Sequence, residues 1–597
     1  MSTPAQGSNP SDCSQRLAGE DIEHLVYDSS VSAVENADEI LAQLGARNKY
    51  ILLVTFTLSF AWTIGAMPIM CSAFIVDNGE CMNDTECEKE NRTSIVSDFE
   101  LTDERKYMAD WTTSAFMFGN MLGASALTRI SDRIGRRPVL LFSLMTLSVT
   151  GAASVLADSI HVFTFGRFLQ GICSPGICLV VWVLGYECIP MSLRGCATLI
   201  YGTMWVIGYC ALAPMAYFLT SWRTLLLAST LPAGITCIFF FFVVPESLHF
   251  LVVNRRNADA MKWVKRAKKY GYSESDVNLD KMMEALFIST AKRHDTLQSK
   301  SCMCTSQTSV RGPCAGLNRI YGIRPSSLDP DSCQPPQQNV LITELQVLSR
   351  TPASVQQAAI NLPQKVKCST EHVCKRRSPS RTKPWGDSLF DPHMERSGNN
   401  ELLANKIFIL YTLVLTFLWT SDTFVYFGLS IYATRIAGNK YWNYALSGLI
   451  EMPAYLFAPH ALDNFGRKPI VAWTHFLAGF SLIALIFIPN GMEWMTTPLW
   501  LMGKFAISCS FMCIFVYGSE IFPTTIRNAC IGLCSVIARV GGIVAPYVKL
   551  LESISPLLPM VFFGSVSVAA GVLTLLLPET KDRALPSSLS DLREECE

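Results

Sequence analysis

The feature that most limits the fold of this 597-residue chain is a succession of apolar runs, each long enough to cross a bilayer, in two groups of six. A spanning helix needs about 20 apolar residues. Helices serve because the hydrocarbon offers no water to satisfy an open backbone. The first group covers 51–75, 110–128, 138–157, 161–183, 196–218 and 224–244. The second covers 407–430, 443–460, 470–488, 498–518, 530–549 and 555–577. The expected fold class is an all-α membrane protein of twelve transmembrane helices in two six-helix, pseudo-symmetric bundles. Charge agrees: only 16% of residues are charged, against about 25% in a soluble domain. The zero net charge argues against a nucleic-acid partner.

The placement of charge sets an expected orientation, since cytoplasmic loops collect Lys and Arg. Of 49 basic residues, 24 lie between Asn254 and Lys406, against 14 acidic ones there. The loop after the second run carries Arg129, Arg133, Arg136 and Arg137. Both segments are expected in the cytoplasm with both termini. The stretch from Asp77 to Lys106 holds 10 acidic and 4 basic residues and is expected outside. Two N-x-[ST] sequons, at Asn83 and Asn91, fall there as glycosylation candidates. Cys81 and Cys87 share that loop and are a candidate disulfide. The domain reading is a polar tail over 1–50, a first bundle over 51–245 with its external loop over 77–108, and a central loop over 246–406. A second bundle over 407–577 and a tail over 578–597 complete it. Within the central loop, 257–270 and 280–292 read as short amphipathic helices. The Ser-, Pro- and Gln-rich stretch from 299 reads as disordered. Cys302, Cys304 and the cysteines up to Cys374 match no tetrahedral zinc spacing, so no metal is expected.

Self-similarity sharpens this picture. Asp132-Arg-Ile-Gly-Arg-Arg-Pro138 returns as Asp463-Asn-Phe-Gly-Arg-Lys-Pro469, an offset of 331. Glu187, Pro190 and Arg194 return as Glu520, Pro523 and Arg527, and Pro245-Glu246 as Pro578-Glu579, both at offset 333. These motifs follow runs 2, 4 and 6, then 8, 10 and 12. The chain therefore reads as two homologous halves in parallel orientation, which can rock about a site near mid-membrane. The charges in these motifs are Asp132, Arg133, Arg136, Arg137, Glu187, Arg194 and Glu246, with Asp463, Arg467, Lys468, Glu520, Arg527 and Glu579; all but Arg133, which aligns with Asn464, recur. They are candidate gating charges that bridge the halves when that end is shut; the plainer alternative is that they only set topology.

At these motifs the sequence resembles the major facilitator superfamily, and within it the organic cation/carnitine/organic anion transporter branch. The resemblance rests on Ser94 to Leu101, Gly119-x-x-x-Gly123 running into Ser131 to Leu140, and Arg167-Phe-Leu-Gln-Gly171. Trp222-Arg223, Gly503-Lys-Phe505 and Glu520 to Asn528 add to it. Thr128 departs from the pattern at a third glycine, and His249-Phe250 replaces an Arg-Trp pair. The resemblance implies alternating-access transport of small organic ions, with carnitine-type and cation members the most similar. It also implies a monomer in the plasma membrane and no cofactor, with Na+ or H+ coupling left open.

Ionisable residues inside a membrane cost on the order of 2.5–3.5 kcal/mol on insertion scales, so each is a functional candidate. They crowd the second half: Asp422, Glu451, Lys504 and Arg539. Internal pairing is one explanation, preferred for Lys504; a zwitterion held at both ends is the other. Tyr201, Trp205, Trp419, Tyr426 and Phe427 are candidate substrate-binding aromatics, since aromatic faces attract quaternary ammonium groups. Arg539 stands where carnitine- and anion-type relatives carry arginine and cation-type relatives aspartate. The resemblance thus casts it as a carboxylate partner, with Glu451 and the aromatics toward the ammonium end. An enzyme is not expected, because no nucleophile elbow, zinc-protease or phosphate-loop motif is present. An organic anion transporter, a sugar porter and a non-transporting receptor or scaffold are the alternatives.

Overall fold

The computed structural model describes residues 37–76, 93–101, 105–270, 279–290, 405–436, 438–489, 492–523, 526–555, 557–583 and 586. Asn83, Asn91, Cys81 and Cys87 lie outside them. Six long helices build each half. They are α1 Lys49–Met70, α2 Tyr107–Ile134, α3 Arg136–Val155, α4 Ile160–Glu187, α5 Arg194–Phe218 and α6 Trp222–Val243. The second six are α7 Lys406–Tyr432, α8, α9 Arg467–Ala484, α10 Glu493–Ile521, α11 Arg527–Val544 and α12 Leu558–Thr574. α8 comes in two pieces, Lys440–Leu449 and Glu451–Phe465, that meet at Ile450.

Among the described residues, nine helices are long and apolar enough to cross a membrane. The other three are α2, α8 and α12. α12 has only 17 residues, α8 is broken, and α2 buries Asp110, Thr112, Thr113, Ser114 and Asn120. Large apolar side chains point outward at helical spacing, as with Leu53, Phe56 and Phe60 on α1 or Ile235, Phe239 and Phe242 on α6. Such a belt suits lipid rather than water.

Both halves start alike. Asn48 accepts from the N–H groups of Tyr50 and Ile51, and Asn405 from those of Ile407 and Phe408, so each first helix has a side-chain cap. α2 and α4 pack backbone to backbone. A Cβ on Gly119 or Gly123 would run into Phe168 O or Ile172 O, and one on Gly171 into Phe116 O. Thr128 does not disturb this contact, because its hydroxyl folds back onto Ala124 O at 2.6 Å.

Three large buried clusters organise the interior among the described residues. One draws on both halves, from Ile69–Val76 and Tyr209–Ala216 to Phe424–Ile436 and Val548. Its residues lie toward the end that carries the 77–106 loop. The other two belong to one half each and lie toward the end that carries the repeated charges. The halves are thus packed together at the loop end and separately cored at the charged end.

The end of the tail nearest α1 is helical. Ala37–Leu44 is a helix that buries Ala37, Ile40, Leu41 and Leu44 against the first half. The two amphipathic stretches of the central loop form as expected: Asn257–Tyr270 buries Ala260, Trp263, Val264 and Ala267, and 279–290 buries Leu279, Met283 and Leu286. Asn48 ties α1 to this layer by donating to Ala267 O at 2.9 Å.

Candidate functional site

The repeated motifs fold into two copies of one device. Gly135 and Gly466 turn the chain between α2 and α3 and between α8 and α9, with φ of +113° and +95°, a conformation that L side chains rarely adopt. Each turn leaves N–H groups open at the start of the next helix, where a negative charge is favoured. Glu246 accepts from Arg136 N and Arg137 N at 3.0 and 3.2 Å. Glu579 accepts from Arg467 N and Lys468 N at 3.0 and 3.1 Å. The carboxylates sit so close to the turns that a Cβ on either glycine would strike them. Arg136 pairs with Glu187 at 3.1 Å, and Arg467 with Glu520 at 2.9 Å. Arg136 also donates to Ser131 O and Arg467 to Leu462 O, again at offset 331.

The remaining members of the set stay within their own halves. Asp132 pairs with Arg136 at 3.0 Å, Arg137 donates to Phe241 O, and Arg527 donates to Phe522 O. Arg133 and Asp463 are exposed. Arg194 reaches the ordered tail at Asp38, 2.7 Å away, and Asp38 also faces His249 at 3.4 Å. Phe250 lies under Arg136 at 5.1 Å. No ion pair recorded among the described residues joins the two halves at this end. The expected bridging across the halves is therefore not made in this conformation, in which each carboxylate serves a neighbour in its own half.

At the other end the halves are tied directly. Lys549 faces Asp110 at 3.3 Å, and Tyr444 donates to Met70 O at 3.0 Å. Arg435 and Glu552 pair at 2.7 Å beside them, with Tyr432 donating to the same carboxylate. The halves are thus tied to each other by recorded contacts at the loop end, while at the charged end no ion pair recorded among the described residues joins them.

Mid-membrane polar residues resolve into three groups. In the first, Lys504 and Glu451 pair at 3.0 Å, both fully buried. Tyr426 and Tyr455 donate to Glu451 Oε2 at 3.1 and 2.8 Å. Lys504 donates to Ser430 at 2.7 Å and stands 3.4 Å over the Tyr426 ring. Trp205, from the first half, donates to Tyr426 Oη at 3.0 Å. In the second, Asp422 turns to His475 and Ser510 rather than to Tyr426, one helical turn away. In the third, Arg539 crosses the interface to Asn120, whose amide donates to Ser174 at 3.3 Å. Arg539 is partly exposed, its Nε has no partner, and no carboxylate pairs with it among the described residues.

The aromatics divide in the same way. Trp205, Tyr426 and Phe427 meet at the interface, the last beside Gly542. Tyr201 is fully buried and stacks on Trp62 at 6.0 Å. Trp62 and Trp182, which sequence reasoning missed, extend this stack from Trp205 to Tyr186. Trp182 and Tyr186 stand at i and i+4, the spacing that Tyr201 and Trp205 also show. Trp419 belongs to the core of the second half, against Phe515 and Gly518. His475 and Asn120 were also missed; each stands among other polar residues of its run, Thr474 beside His475 and Thr112, Thr113 and Ser114 before Asn120, so neither carries a distinct signal. Arg167 is buried, donating to Pro68 O and Ser72 and lying over Phe116, so it locks α4 onto the end of α1.

Two like six-helix halves, closed at one end around a charged and aromatic middle, define a secondary transporter of the major facilitator type. The profile of the sugar (and other) transporter family matches residues 49–311 and 374–588, and the chain belongs to that family. A Caenorhabditis elegans chain named Putative transporter B0252.3 is 30% identical over 566 residues, covering 94% of this chain and 93% of its own length. The Drosophila melanogaster organic cation transporter protein is 28% identical over 521 residues, 87% of this chain and 76% of its own. Solute carrier family 22 member 3 of Rattus norvegicus is 27% identical over 504 residues, 84% of this chain and 72% of its own. Among solved structures, the inward-open xylose transporter XylE of E. coli has the same fold, with a TM-score of 0.53 at 15% identity. That alignment covers 91% of this chain and 99% of the other.

Proposed function

We propose that the protein moves small organic ions bearing a carboxylate, with ammonium carboxylates such as carnitine as the best fit, by alternating access between its two halves. The observation that carries this reading is Arg539: a guanidinium at the interface, held by a neutral amide from the other half, with no carboxylate partner among the described residues. Glu451 and Asp422 are already engaged with Lys504 and His475, so the middle of the interface has an unmatched positive charge. A substrate carboxylate supplies the missing partner, and guanidinium is suited to it by its planar fork of donors. An ammonium head then falls to aromatic faces rather than to Glu451. Trp205, Tyr426, Phe427 and the Trp62–Trp182 stack are the candidates. The organic cation transporters among the relatives support the ammonium end.

A second reading, transport of organic anions without an ammonium group, is favoured by one observation. Glu451, the acid expected to attract a cation, is neutralised by its own lysine. In either case the charged-motif end and both termini lie in the cytoplasm, the 77–106 loop outside, and the protein works as a plasma-membrane monomer.

The test is uptake of carnitine, a tetraalkylammonium and an aryl carboxylate in one expression system, with Arg539→Asp alongside. Charge-assisted hydrogen bonds are worth about 1.5–3 kcal/mol, so carnitine uptake by the variant should fall about 10- to 150-fold. Carriage of the aryl carboxylate alone moves the assignment to the second reading. Carriage of the tetraalkylammonium alone, untouched by the variant, refutes both.

A further inference from the structure

One buried cluster takes no part in the interface described above. His475 on α9, Asp422 on α7 and Ser510 on α10 are each fully buried within the second half. The ring nitrogen Nδ1 of His475 lies 2.8 Å from Val471 O and 3.0 Å from Ser510 Oγ. Ser510 Oγ lies 3.3 Å from Asp422 Oδ2, and His475 Nε2 lies 3.3 Å from Asp422 Oδ1.

These contacts, with Ser510 Oγ also 3.4 Å from Nε2, favour the following arrangement of hydrogens. A backbone carbonyl can only accept, so Nδ1 carries a proton and donates to Val471 O. Ser510 then accepts from the imidazole side and donates its own hydrogen to Oδ2. That leaves Nε2 facing Oδ1. A neutral imidazole with its proton on Nδ1 would present a lone pair there to an ionised carboxylate, acceptor against acceptor. One further proton between Nε2 and Oδ1 removes the conflict, whichever of the two atoms holds it. With that proton the pair has no net charge; without it, the pair is an uncompensated anion in a dry site.

Among the described residues no other counter-charge is recorded against the pair; Arg539, on the α11 helix packed against α7, turns to Asn120 of the first half. α10 turns Ser510 and the buried Cys513 toward the pair, and its Lys504 is committed to Glu451 on α8. α12 packs on α9 and has no charged residue between Leu558 and Thr574; its buried polar residues are Ser567 and Thr574. On α9 itself Thr474 is bonded to Ile470 O. A lone buried charge is costly, so losing the proton favours an arrangement in which water reaches α7, α9 and α10.

We propose that His475 and Asp422 form a proton-binding site that links the movement of α7 to H+, so that transport responds to a proton gradient. α7 is the connecting element. One turn after Asp422 it bears Tyr426, which touches Glu451 and the first half at Trp205. It also packs on α11 where Gly541 meets Thr420 O, two residues after Arg539. The step is a simple transfer: the proton leaves Nε2 or Oδ1 for water on one side of the membrane and is replaced from the other. The coupling part of this proposal rests on the transporter reading above; the proton site does not.

The experiment uses the full chain reconstituted in liposomes and has two arms. In the first, 15N-histidine NMR of the wild type and of His475→Gln isolates the His475 ring. Infrared spectra of the wild type and of Asp422→Asn isolate the Asp422 carboxyl. At neutral pH the expected result is either a doubly protonated ring or a carboxylic-acid band that vanishes in Asp422→Asn. A neutral ring beside an ionised carboxylate overturns the proposal, whatever the protein carries. In the second arm, carnitine uptake is measured with and without an inward acid gradient at clamped membrane potential. The wild type should show several-fold stimulation, and His475→Gln a ratio near one against its own gradient-free uptake. Should His475→Gln fail to fold, Ser510→Ala, which removes the bridge between ring and carboxylate, should show a reduced ratio. Equal stimulation of wild type and folded variants overturns the coupling. An absence of carnitine uptake under all conditions counts against the substrate reading, and the spectroscopic arm alone then decides the proton site.

Discussion

Lys504 and Glu451 show how a single residue can look functional in sequence and turn out to be spoken for. An amine and a carboxylate buried together hold each other's charge, and two tyrosines complete the carboxylate's hydrogen bonds. Removing one partner of such a pair costs about 3–5 kcal/mol, because the survivor is left charged and dry, whereas replacing both is often near neutral. Lys504→Met should therefore lower the thermal unfolding midpoint in nanodiscs sharply. The double variant Lys504→Met/Glu451→Gln should recover most of the loss. If the double variant is as unstable as the single one, the pair is not the source of the effect. Arg539 is the contrasting residue: its partner across the interface, Asn120, is neutral.

At the scale of elements, the starts of α3 and α9 are where sequence repetition becomes structural repetition. A glycine with positive φ, a carboxylate capping the exposed N–H groups, and an arginine turned back onto a second glutamate recur in both halves. Partial burial works against the charged form of Glu579, but the N–H groups of Arg467, Lys581, Thr580 and Lys468 outweigh it and hold the carboxyl below the usual glutamate value. A carboxyl with a lowered pKa in the folded state binds its proton more tightly when unfolded. Its stabilisation is therefore fully present above the unfolded value of about 4.3 and lost as pH falls through the lower folded one. Between about pH 5 and pH 3 the wild-type midpoint should fall more steeply than that of Glu579→Gln, which keeps an acceptor but cannot ionise. Parallel acid limbs in a melting series would remove the cap from the account.

For the whole molecule, what matters is which end is shut. A cluster built from both halves and the Lys549–Asp110 and Tyr444–Met70 contacts hold the loop end together, while the charged end has two separate cores. Lys549→Ala removes the one ion pair recorded across that closed end among the described residues, so open populations should grow. Spin labels at Phe218 and Trp494, both exposed at that end, report the change. The distance distribution should gain a longer component in the variant. An unchanged distribution would mean that apolar packing alone closes the end.

How much of this was legible beforehand varies with the kind of interaction. Glu246 and Glu579, Glu187 and Glu520, Arg136 and Arg467 could be singled out because their motifs recur at almost constant offset. The duplicated geometry follows from duplicated sequence. The partners in mid-membrane could not be read in this way. Asp422 lies one turn from Tyr426 on the same helix, yet it bonds to α9 and α10 while Tyr426 bonds to α8 and α5. His475, Asn120 and Trp62 drew no attention, although each helps to define a buried group. In water an apolar stripe marks the inner face of a helix; in a bilayer the lipid side is as apolar as the core, and the stripe fades.

The sequence by itself determined twelve spans, two related halves and the devices at their charged ends. Run length, hydropathy and repetition are local properties that need no knowledge of neighbours. Only the tertiary structure decided which charges neutralise one another, which aromatics meet at the interface and which end is closed. Those outcomes depend on the rotation of each helix about its axis and on the packing of one half against the other, which no single apolar segment encodes.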